Sequence, residues 1–296
     1  MLARHIQYFL AVAEHRSFTQ AAHVLHVSQP ALSQQVRQLE ENLGVQLFDR
    51  SGRHIQLTDA GQVYWRYAQS ALQTLQEGQR ALHDVSDLSR GSLRLALTPT
   101  FTTYLLGPLI EAFHAHYPAI GLHIQEMTQD EMESQLNAGA LDIGIAFKET
   151  HSNDIQALPL LTENLALVVN HQHPLAQYKQ VQPRVLQGQR LALLDREFTT
   201  REQIDRYCRQ QGISLTVVME ANATSAVIEV VRRTSLGTLL PSTLAQVYTD
   251  LAAIHLNGQP LARTAALLLR HNAYHSFATQ AFIQTAQTVA KEWSLH

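Results

Sequence analysis

Five polar residues along one predicted helix are of the types that bind base edges in the major groove of DNA. They are Gln29, Ser33, Gln34, Arg37 and Gln38. Glutamine can bond adenine and arginine can bond guanine through paired hydrogen bonds, and serine can bond a base or a phosphate. The opposite face of this segment is aliphatic and consists of Leu32, Val36, Leu39 and Leu43. This spacing predicts a helix with a buried face and a DNA-binding face, although a polar face that is only solvated has the same pattern.

The segments around this helix predict a winged helix-turn-helix. A short helix begins after Ser17, and the second begins after Ser28 with a proline in its first turn. Gly44 ends the second helix, and residues 47–57 have the pattern of a small β-hairpin, which we call the wing. The predicted DNA-binding residues of the helix-turn-helix (18–37) and its surroundings are Ser28, Gln29, Pro30, Ser33, Gln34, Arg37, Gln38, Arg50 and Arg53. Residues 1–57 hold five arginines against four acidic residues, so we expect modest affinity from one copy.

Hydroxyl groups are concentrated at two predicted strand-to-helix junctions farther along the chain. Residues 98–102 follow one strand and contain three threonines, and two more threonines follow another strand. Hydroxyl and free N–H groups at helix starts can bind an anion, and no Lys or Arg lies within residues 95–147, so we expect an anion site without a formal cation. The candidate effector-binding residues are Thr98, Thr100, Phe101, Thr102, Phe147, Thr199 and Thr200. The alternatives are helix capping, including capping boxes that begin at Thr199 or Thr200, and a core position for Phe147.

Residues 58–88 form one unbroken helical pattern with apolar or small residues at alternating steps of four and three. A helix of about 30 residues spans on the order of 45 Å, which is too long for a small domain unless another surface covers it. A second copy of the chain is the expected cover, and the chain's own C-terminal part is the alternative. The residues predicted for dimerisation are Tyr64, Ala68, Ala71, Leu75 and Leu82.

From residue 90 onward, strand-like and helix-like stretches alternate in an order that predicts two α/β lobes with parallel strands. The chain has 296 residues, a net charge of −3 and one cysteine, which excludes a uniformly basic coat, a disulfide framework and a multi-cysteine zinc site. It shows no membrane-spanning run, no convincing secretory leader, no glycine-rich phosphate motif and no nucleophile motif. We therefore expect a cytoplasmic protein that is not an enzyme and holds no metal or cofactor.

The segment from Ser17 to Gly61, SFTQAAHVLHVSQPALSQQVRQLEENLGVQLFDRSGRHIQLTDAG, resembles the DNA-binding segment of the LysR-type transcriptional regulators. The likeness extends back without a gap to near Ile6, and RGSLRLAL, LDIGIAF and HPLA lie where that family has them. Three further segments resemble those of a cyanate-responsive activator within the family: TPTFTTYLLGPL, TTREQID and EANATSAVIEVVRRTSLGTLLP.

The resemblance implies an α/β protein with an N-terminal all-α winged helix-turn-helix, a long linker helix and a two-lobed effector domain like a periplasmic binding protein. The implied domains are 1–58 for DNA binding, 59–89 for dimerisation and 90–296 for the effector, with lobe one at 91–161 plus 266–296 and lobe two at 162–265. It implies that a homodimer or homotetramer binds double-stranded promoter DNA and has RNA polymerase as a partner. The targets it implies are a cyanate-degradation operon, which the protein activates, and the protein's own gene, which it represses. The implied effector is a small anion such as cyanate. The alternatives are a regulator that responds to a different small organic acid and, less favoured, a small-molecule-binding enzyme.

Overall fold

The computed structural model describes residues 2–50, 55–86, 91–271 and 273–293. The chain divides into two compact units, Met1–Val85 and Ser86–His296, so the predicted linker helix belongs almost entirely to the first unit. The first unit is a helical head with a small hairpin and the second is a mixed α/β structure, which confirms the predicted fold class. Within the described ranges, no helix is both long enough and apolar enough to cross a membrane.

The head has the element order that the sequence predicts. Its elements are α1 (Leu2–His15), α2 (Phe18–Val24), α3 (Gln29–Leu43), β1 (Phe48–Asp49), β2 (Gln56–Leu57) and α4 (Asp59–Ser86). The hydroxyls of Ser17 and Ser28 accept backbone N–H groups at the starts of α2 and α3, so both predicted caps form. Gly44 ends α3 at a φ of 69°, a left-handed conformation that glycine adopts without strain. β1 and β2 pair antiparallel as the wing.

The core of the head joins α1, α3, the wing and the start of α4. Phe9 and Phe48 are buried, and their ring centres lie 5.3 Å apart. A Cβ at Gly61 would lie 2.0 Å from the carbonyl oxygen of Leu47, so only glycine lets α4 pass this close to the wing. The prediction that Leu43 faces this core is wrong: it is 41% exposed, because it is the last residue of α3 and lies beyond the buried turns.

The first turns of α4 pack against their own head. Tyr64 and Ala68, predicted for a dimer interface, lie in the hydrophobic cluster formed with α1 and α3. Ala68 is buried there and Tyr64 is partly buried, so the head covers part of the predicted seam, and the dimerisation residues stay a prediction. Ala71 and Leu75 are exposed, and the side chain of Leu82 lies outside the described residues.

The second unit alternates strands and helices as predicted. The elements of its first half are β3 (Ser92–Leu97), α5 (Pro99–Tyr104), α6 (Leu106–His116), β4 (Gly121–Glu126), α7 (Gln129–Asn137) and β5 (Ile143–Phe147). The others are β6 (Ile155–Asn170), β7 (Gln180–Val181), β8 (Arg190–Leu194), α8 (Thr199–Gln210), β9 (Thr216–Ala221), α9 (Thr224–Arg233), β10 (Thr238–Pro241), α10 (Leu244–Val247), β11 (Leu251–Leu256), β12 (Ala262–Arg270) and α11 (Phe277–Trp293).

One sheet runs through both predicted lobes, in the order β4-β3-β5-β12-β6-β11-β7, with β10 also paired to β6. β3 is parallel to β4 and β5, as the alternating pattern predicts, whereas β12 is antiparallel to β5 and β6. β8 and β9 form a separate parallel pair. β6 and β12 contain the two predicted lobe crossings, and they pair with each other at that point.

The two lobes share a hydrophobic cluster. Phe101 and Phe147 come from lobe one, and Ala192 and Val227 come from lobe two. All four side chains are buried. The starts of α5 and α8, which follow β3 and β8, are therefore held close to each other across the boundary between the lobes.

Candidate functional site

The polar side of α3 faces solvent. Its apolar side buries Leu32, Val36 and Leu39 in the head. The predicted DNA-binding residues at the start and on the outer side are exposed, apart from a partly buried serine: Ser28, Gln29, Pro30, Ser33, Gln34, Arg37 and Gln38. The side-chain amide of Gln38 donates to Glu41 and Asn42, at 3.2 and 3.3 Å. The exposed face thus presents amide, hydroxyl and guanidinium groups, which are the types that bind base edges in the major groove.

Arg50 forms an ion pair on the surface of the head. Its Nη2 lies 2.7 Å from Oε2 of Glu40. The other carboxylate oxygen of Glu40 accepts the backbone N–H groups of Leu47 and Phe48 at 2.9 and 3.2 Å. Glu40, which lies on α3, therefore fixes the wing to that helix. Arg50 must share or leave this ion pair to contact a phosphate, and Arg53 lies outside the described residues.

Two threonines from opposite lobes meet at the lobe boundary. Oγ1 of Thr100, in the first turn of α5, lies 3.4 Å from Oγ1 of Thr200, in the first turn of α8. Both residues are almost fully buried. The structure thus brings together two of the predicted effector-binding residues that are 100 positions apart in the chain.

A buried arginine adds a formal cation at this contact, contrary to the expectation of a cation-free site. Nη1 of Arg263 donates to the hydroxyl of Thr200 at 2.6 Å, and Nε donates to one carboxylate oxygen of Glu163. The other oxygen of Glu163 accepts the hydroxyl of Tyr104. The expectation rested on the absence of Lys and Arg from residues 95–147, whereas Arg263 reaches the site from β12.

Phe101 and Phe147 lie against the guanidinium of Arg263. Its Cζ is 5.4 Å from the ring centre of Phe101 and 4.8 Å from that of Phe147, distances at which a cation is attracted to an aromatic ring. Burial, followed by the nearby Glu163 carboxylate, raises the pKa of Tyr104 well above its ordinary value. Tyr104 therefore keeps its proton at neutral pH and remains a donor to Glu163.

The other three predicted threonines have different surroundings. Thr98 precedes α5, and its buried hydroxyl has no hydrogen-bond partner among the described residues. The hydroxyl of Thr102 donates to the carbonyl of Thr98 at 3.4 Å. Thr199 is the first residue of α8 but not its cap, which is Phe198, so the capping boxes considered for Thr199 and Thr200 are absent from the described part of the chain. Because α5 has only six residues, its dipole adds little to an anion site.

A cavity of about 300 Å³ lies beside Arg263, between α7 and the loop after β5 on one side and α8 on the other. Its polar lining includes Gln129, Glu149, Thr199, Glu202, Arg206 and Arg263. Arg206 pairs with Glu202 at 2.6 Å. Nη2 of Arg263 is buried and has no hydrogen-bond partner in the described ranges. The site therefore has unused donors, which fit a ligand rich in acceptor atoms.

Sequence reasoning missed Arg263, Glu163 and Tyr104. Glu163 and Arg263 are charged residues beside the apolar stretches of β6 and β12, which is a detectable feature in the sequence. Their pairing is not detectable, because it depends on the antiparallel register of two strands that are 100 residues apart. Among the described residues, no group of three or more His, Cys, Asp and Glu side chains is arranged to hold a metal ion.

Models of two known protein families match nearly the whole chain between them. Residues 3–62 match the bacterial regulatory helix-turn-helix protein family, lysR family, and residues 86–291 match the LysR substrate binding domain. A probable RuBisCO transcriptional regulator of Synechocystis sp. is 32% identical over 97% of this chain and 85% of its own length. A hydrogen peroxide-inducible genes activator of Dickeya chrysanthemi is 32% identical over 82% of this chain and 79% of its own length.

Solved structures share this fold over the full length. A full-length OxyR cysteine variant from Pseudomonas aeruginosa superposes with a TM-score of 0.73 at 24% identity, covering 98% of this chain and 95% of that one. CbnR in complex with its target DNA gives a TM-score of 0.61 at 24% identity, covering 98% of this chain and 100% of that one. At these identities the likeness establishes the fold.

Proposed function

The chain belongs to the LysR family of bacterial transcriptional regulators, and from this premise we propose that a small anion bound between its two lobes switches its action at a promoter. The chain is a DNA-binding regulator and not an enzyme. The observation that carries the effector proposal is the meeting of Thr100, Thr200 and Arg263 at the lobe boundary. An anion held by donors from both lobes would favour one lobe arrangement to the extent that it binds that arrangement more tightly.

We assign promoter contact to the exposed side of α3 and to the wing. Arg37 is the exposed cation of that helix face, whereas Arg50 is paired with Glu40. The small charge excess of one head supports binding by two or four copies, since each head neutralises few phosphates. RNA polymerase is the proposed partner for activation, and the proposed location is the cytoplasm, where bacterial promoter DNA lies.

Cyanate is the first effector to test, as a linear anion with acceptor atoms at both ends and little bulk. Its support comes from the three sequence segments that resemble a cyanate-responsive activator, together with the unused donors beside the cavity. In that case we propose that the protein activates a cyanate-degradation operon and represses its own gene. The relatives described above are named for RuBisCO and peroxide-inducible genes, and a cavity of about 300 Å³ also has room for a larger organic acid.

A thiol-based response to peroxide is a poor fit to this chain. Cys208 is its sole cysteine, so no disulfide can form within one chain. Burial raises the pKa of the Cys208 thiol to about 11, which keeps it protonated and weakly reactive at neutral pH. The peroxide-inducible relative therefore supports the family and the fold but not the same inducer.

The proposed function is tested by calorimetric titration of the purified protein with cyanate, azide and benzoate, followed by gel shift on the DNA upstream of its own gene with and without the ligand that binds. We expect a saturable heat with cyanate and azide and a change in the DNA complex when cyanate is added. Thr100→Ala should reduce anion binding at least about tenfold, because it removes a donor in a buried site, and should leave DNA binding unchanged.

Thr103→Ala is the matched control, since Thr103 also lies on α5 but donates to the carbonyl of Pro99 within its own helix. If benzoate binds and cyanate does not, the effector is a larger organic acid and not cyanate. A promoter complex that responds to none of the three anions would remove the anion proposal and leave the regulator assignment intact.

A further inference from the structure

The ion pair formed by Glu163 and Arg263 has no net charge, and this restricts the charge of a ligand that binds beside it. Both side chains are buried, with relative exposures of 4% and 1% in the ion pair. Each Glu163 oxygen is already bonded, one to Nε of Arg263 and one to the hydroxyl of Tyr104. On the guanidinium, Nε and Nη1 are engaged, and Nη2 has no hydrogen-bond partner among the described residues. One nitrogen of a neutralised cation is thus left to bind a ligand.

Among the described residues, the other charged side chains around the cavity do not supply a second free cation. Arg206 is paired with Glu202 at 2.6 Å, and His151 is paired with Asp130 at 2.8 Å. Glu149 also lines the cavity. A ligand with one negative charge can bind Nη2, whereas a second negative charge would meet carboxylates and no matching cation in this part of the described structure.

We propose that the Glu163–Arg263 pair limits the effector to a single negative charge, with Nη2 of Arg263 as the donor that binds it and Glu163 as the carboxylate that rejects a dianion. This inference rests on the proposed function, since it concerns the same interlobe site. It adds the charge class of the effector and the two residues that select it. Tyr104 is a positioning residue, because its hydroxyl donates to Glu163, and the hydroxyl of Thr200 accepts Nη1 of Arg263.

Glu163→Gln is the decisive variant. It removes one negative charge and keeps an oxygen for Arg263. The electrostatic energy between the removed charge and the ligand is proportional to the ligand's charge. The factor by which the affinity for a dianion rises is therefore about the square of the factor for a monoanion. We expect affinity for monoanions to rise by about tenfold and affinity for dianions by about 100-fold.

The measurement compares matched acids at neutral pH and constant ionic strength, by thermal shift and calorimetry. Acetate is paired with malonate and benzoate with phthalate, so that each pair differs by one carboxylate, and cyanate and azide are included as compact monoanions. Wild type should bind at least one monoanion and neither dianion. Glu163→Gln should bind the dianion that corresponds to that monoanion.

Two variants complete the test. Glu163→Gln combined with Arg263→Gln leaves no buried charge at the site, so it should stay folded and lose monoanion binding by at least about tenfold. Glu111→Gln makes the same change of charge at an exposed position on α6 and should behave as wild type.

The outcomes separate this inference from the proposed function. If wild type binds a monoanion but Glu163→Gln leaves the preference for monoanion over dianion unchanged, the inference is wrong and the anion effector stands. If wild type binds a dianion as tightly as its matched monoanion, the inference is also wrong. If none of the acids or compact anions binds wild type, both the inference and the anion effector fail.

Discussion

Cys208 lies on the inner side of α8 and is almost fully buried. The pKa of this thiol is raised from 9.0 to about 11, mainly by loss of solvent around it and to a smaller extent by the nearby Asp205 carboxylate. The reactive form of a cysteine is the thiolate, so a raised pKa lowers reactivity at neutral pH. The residue therefore behaves as a small apolar side chain of lobe two.

The corresponding prediction is slow alkylation of the folded protein. A pKa raised by about two units reduces the thiolate fraction at neutral pH about 100-fold, and burial adds to the protection. Iodoacetamide should therefore label the folded chain at least about 100-fold more slowly than the urea-unfolded chain, as measured by mass spectrometry. Since the chain has one cysteine, a single added mass reports this site. Equal rates in the folded and unfolded states would contradict the buried position.

At the scale of elements, the wing is attached to α3 through one carboxylate. Glu40 accepts two backbone N–H groups from the start of the wing and binds Arg50, which itself lies on the wing strand's end. Short two-residue strands such as β1 and β2 have few hydrogen bonds of their own. The angle between the wing and the DNA-binding helix therefore depends on this side chain.

We expect Glu40→Ala to destabilise the head by about 2–4 kcal/mol, because two backbone donors and one guanidinium lose their charged acceptor. Unfolding in urea is followed by Trp65 fluorescence in a Trp293→Phe background, so that the signal comes from the head. Glu41→Ala, at an exposed position on the same helix, should stay within about 0.5 kcal/mol of the background chain. Equal unfolding midpoints for the two variants would refute the role of Glu40.

At the scale of the whole molecule, α4 still presents an apolar strip after its first turns are covered by the head. Val63, Tyr67, Ala71 and Leu75 follow one another at steps of four, and all four are exposed. Tyr67 is 73% exposed and Leu75 is 54% exposed. This strip, rather than the Tyr64–Ala68 side, is the face of α4 that we expect to meet a second copy, since an exposed run of large apolar side chains marks an interaction surface.

A charge on this strip should weaken the association of two copies that we expect there. We expect Leu75→Glu to raise the dimer dissociation constant by at least about tenfold, because two buried carboxylates enter each symmetric interface. Sedimentation equilibrium over a range of concentrations measures this change. Val24→Glu is the control, because Val24 is 53% exposed but lies on α2. An unchanged dissociation constant for Leu75→Glu would place the interface elsewhere on the chain.

Interactions between residues close together in the chain account for the local structure of the head. The caps at Ser17 and Ser28, the stop at Gly44 and the apolar spacing of α3 act over a few residues, and each has the predicted structure except at Leu43, which is exposed. The alternation of strands and helices in the second unit was also predictable, because strand and helix periodicity and turn residues are local. The threonine junctions could be found in the same way, as positions that follow strands.

Which of these residues come into contact depends on the tertiary structure. Leu39 and Leu43 lie on the same helix and have the same side chain, yet the first is buried and the second is exposed, because burial depends on what lies opposite each side chain. The cation of the interlobe site is set by the register that places Arg263 opposite Glu163. Charges and hydrophobic surface act through space, so a contact between residues 100 positions apart exists only once the strands between the lobes have paired.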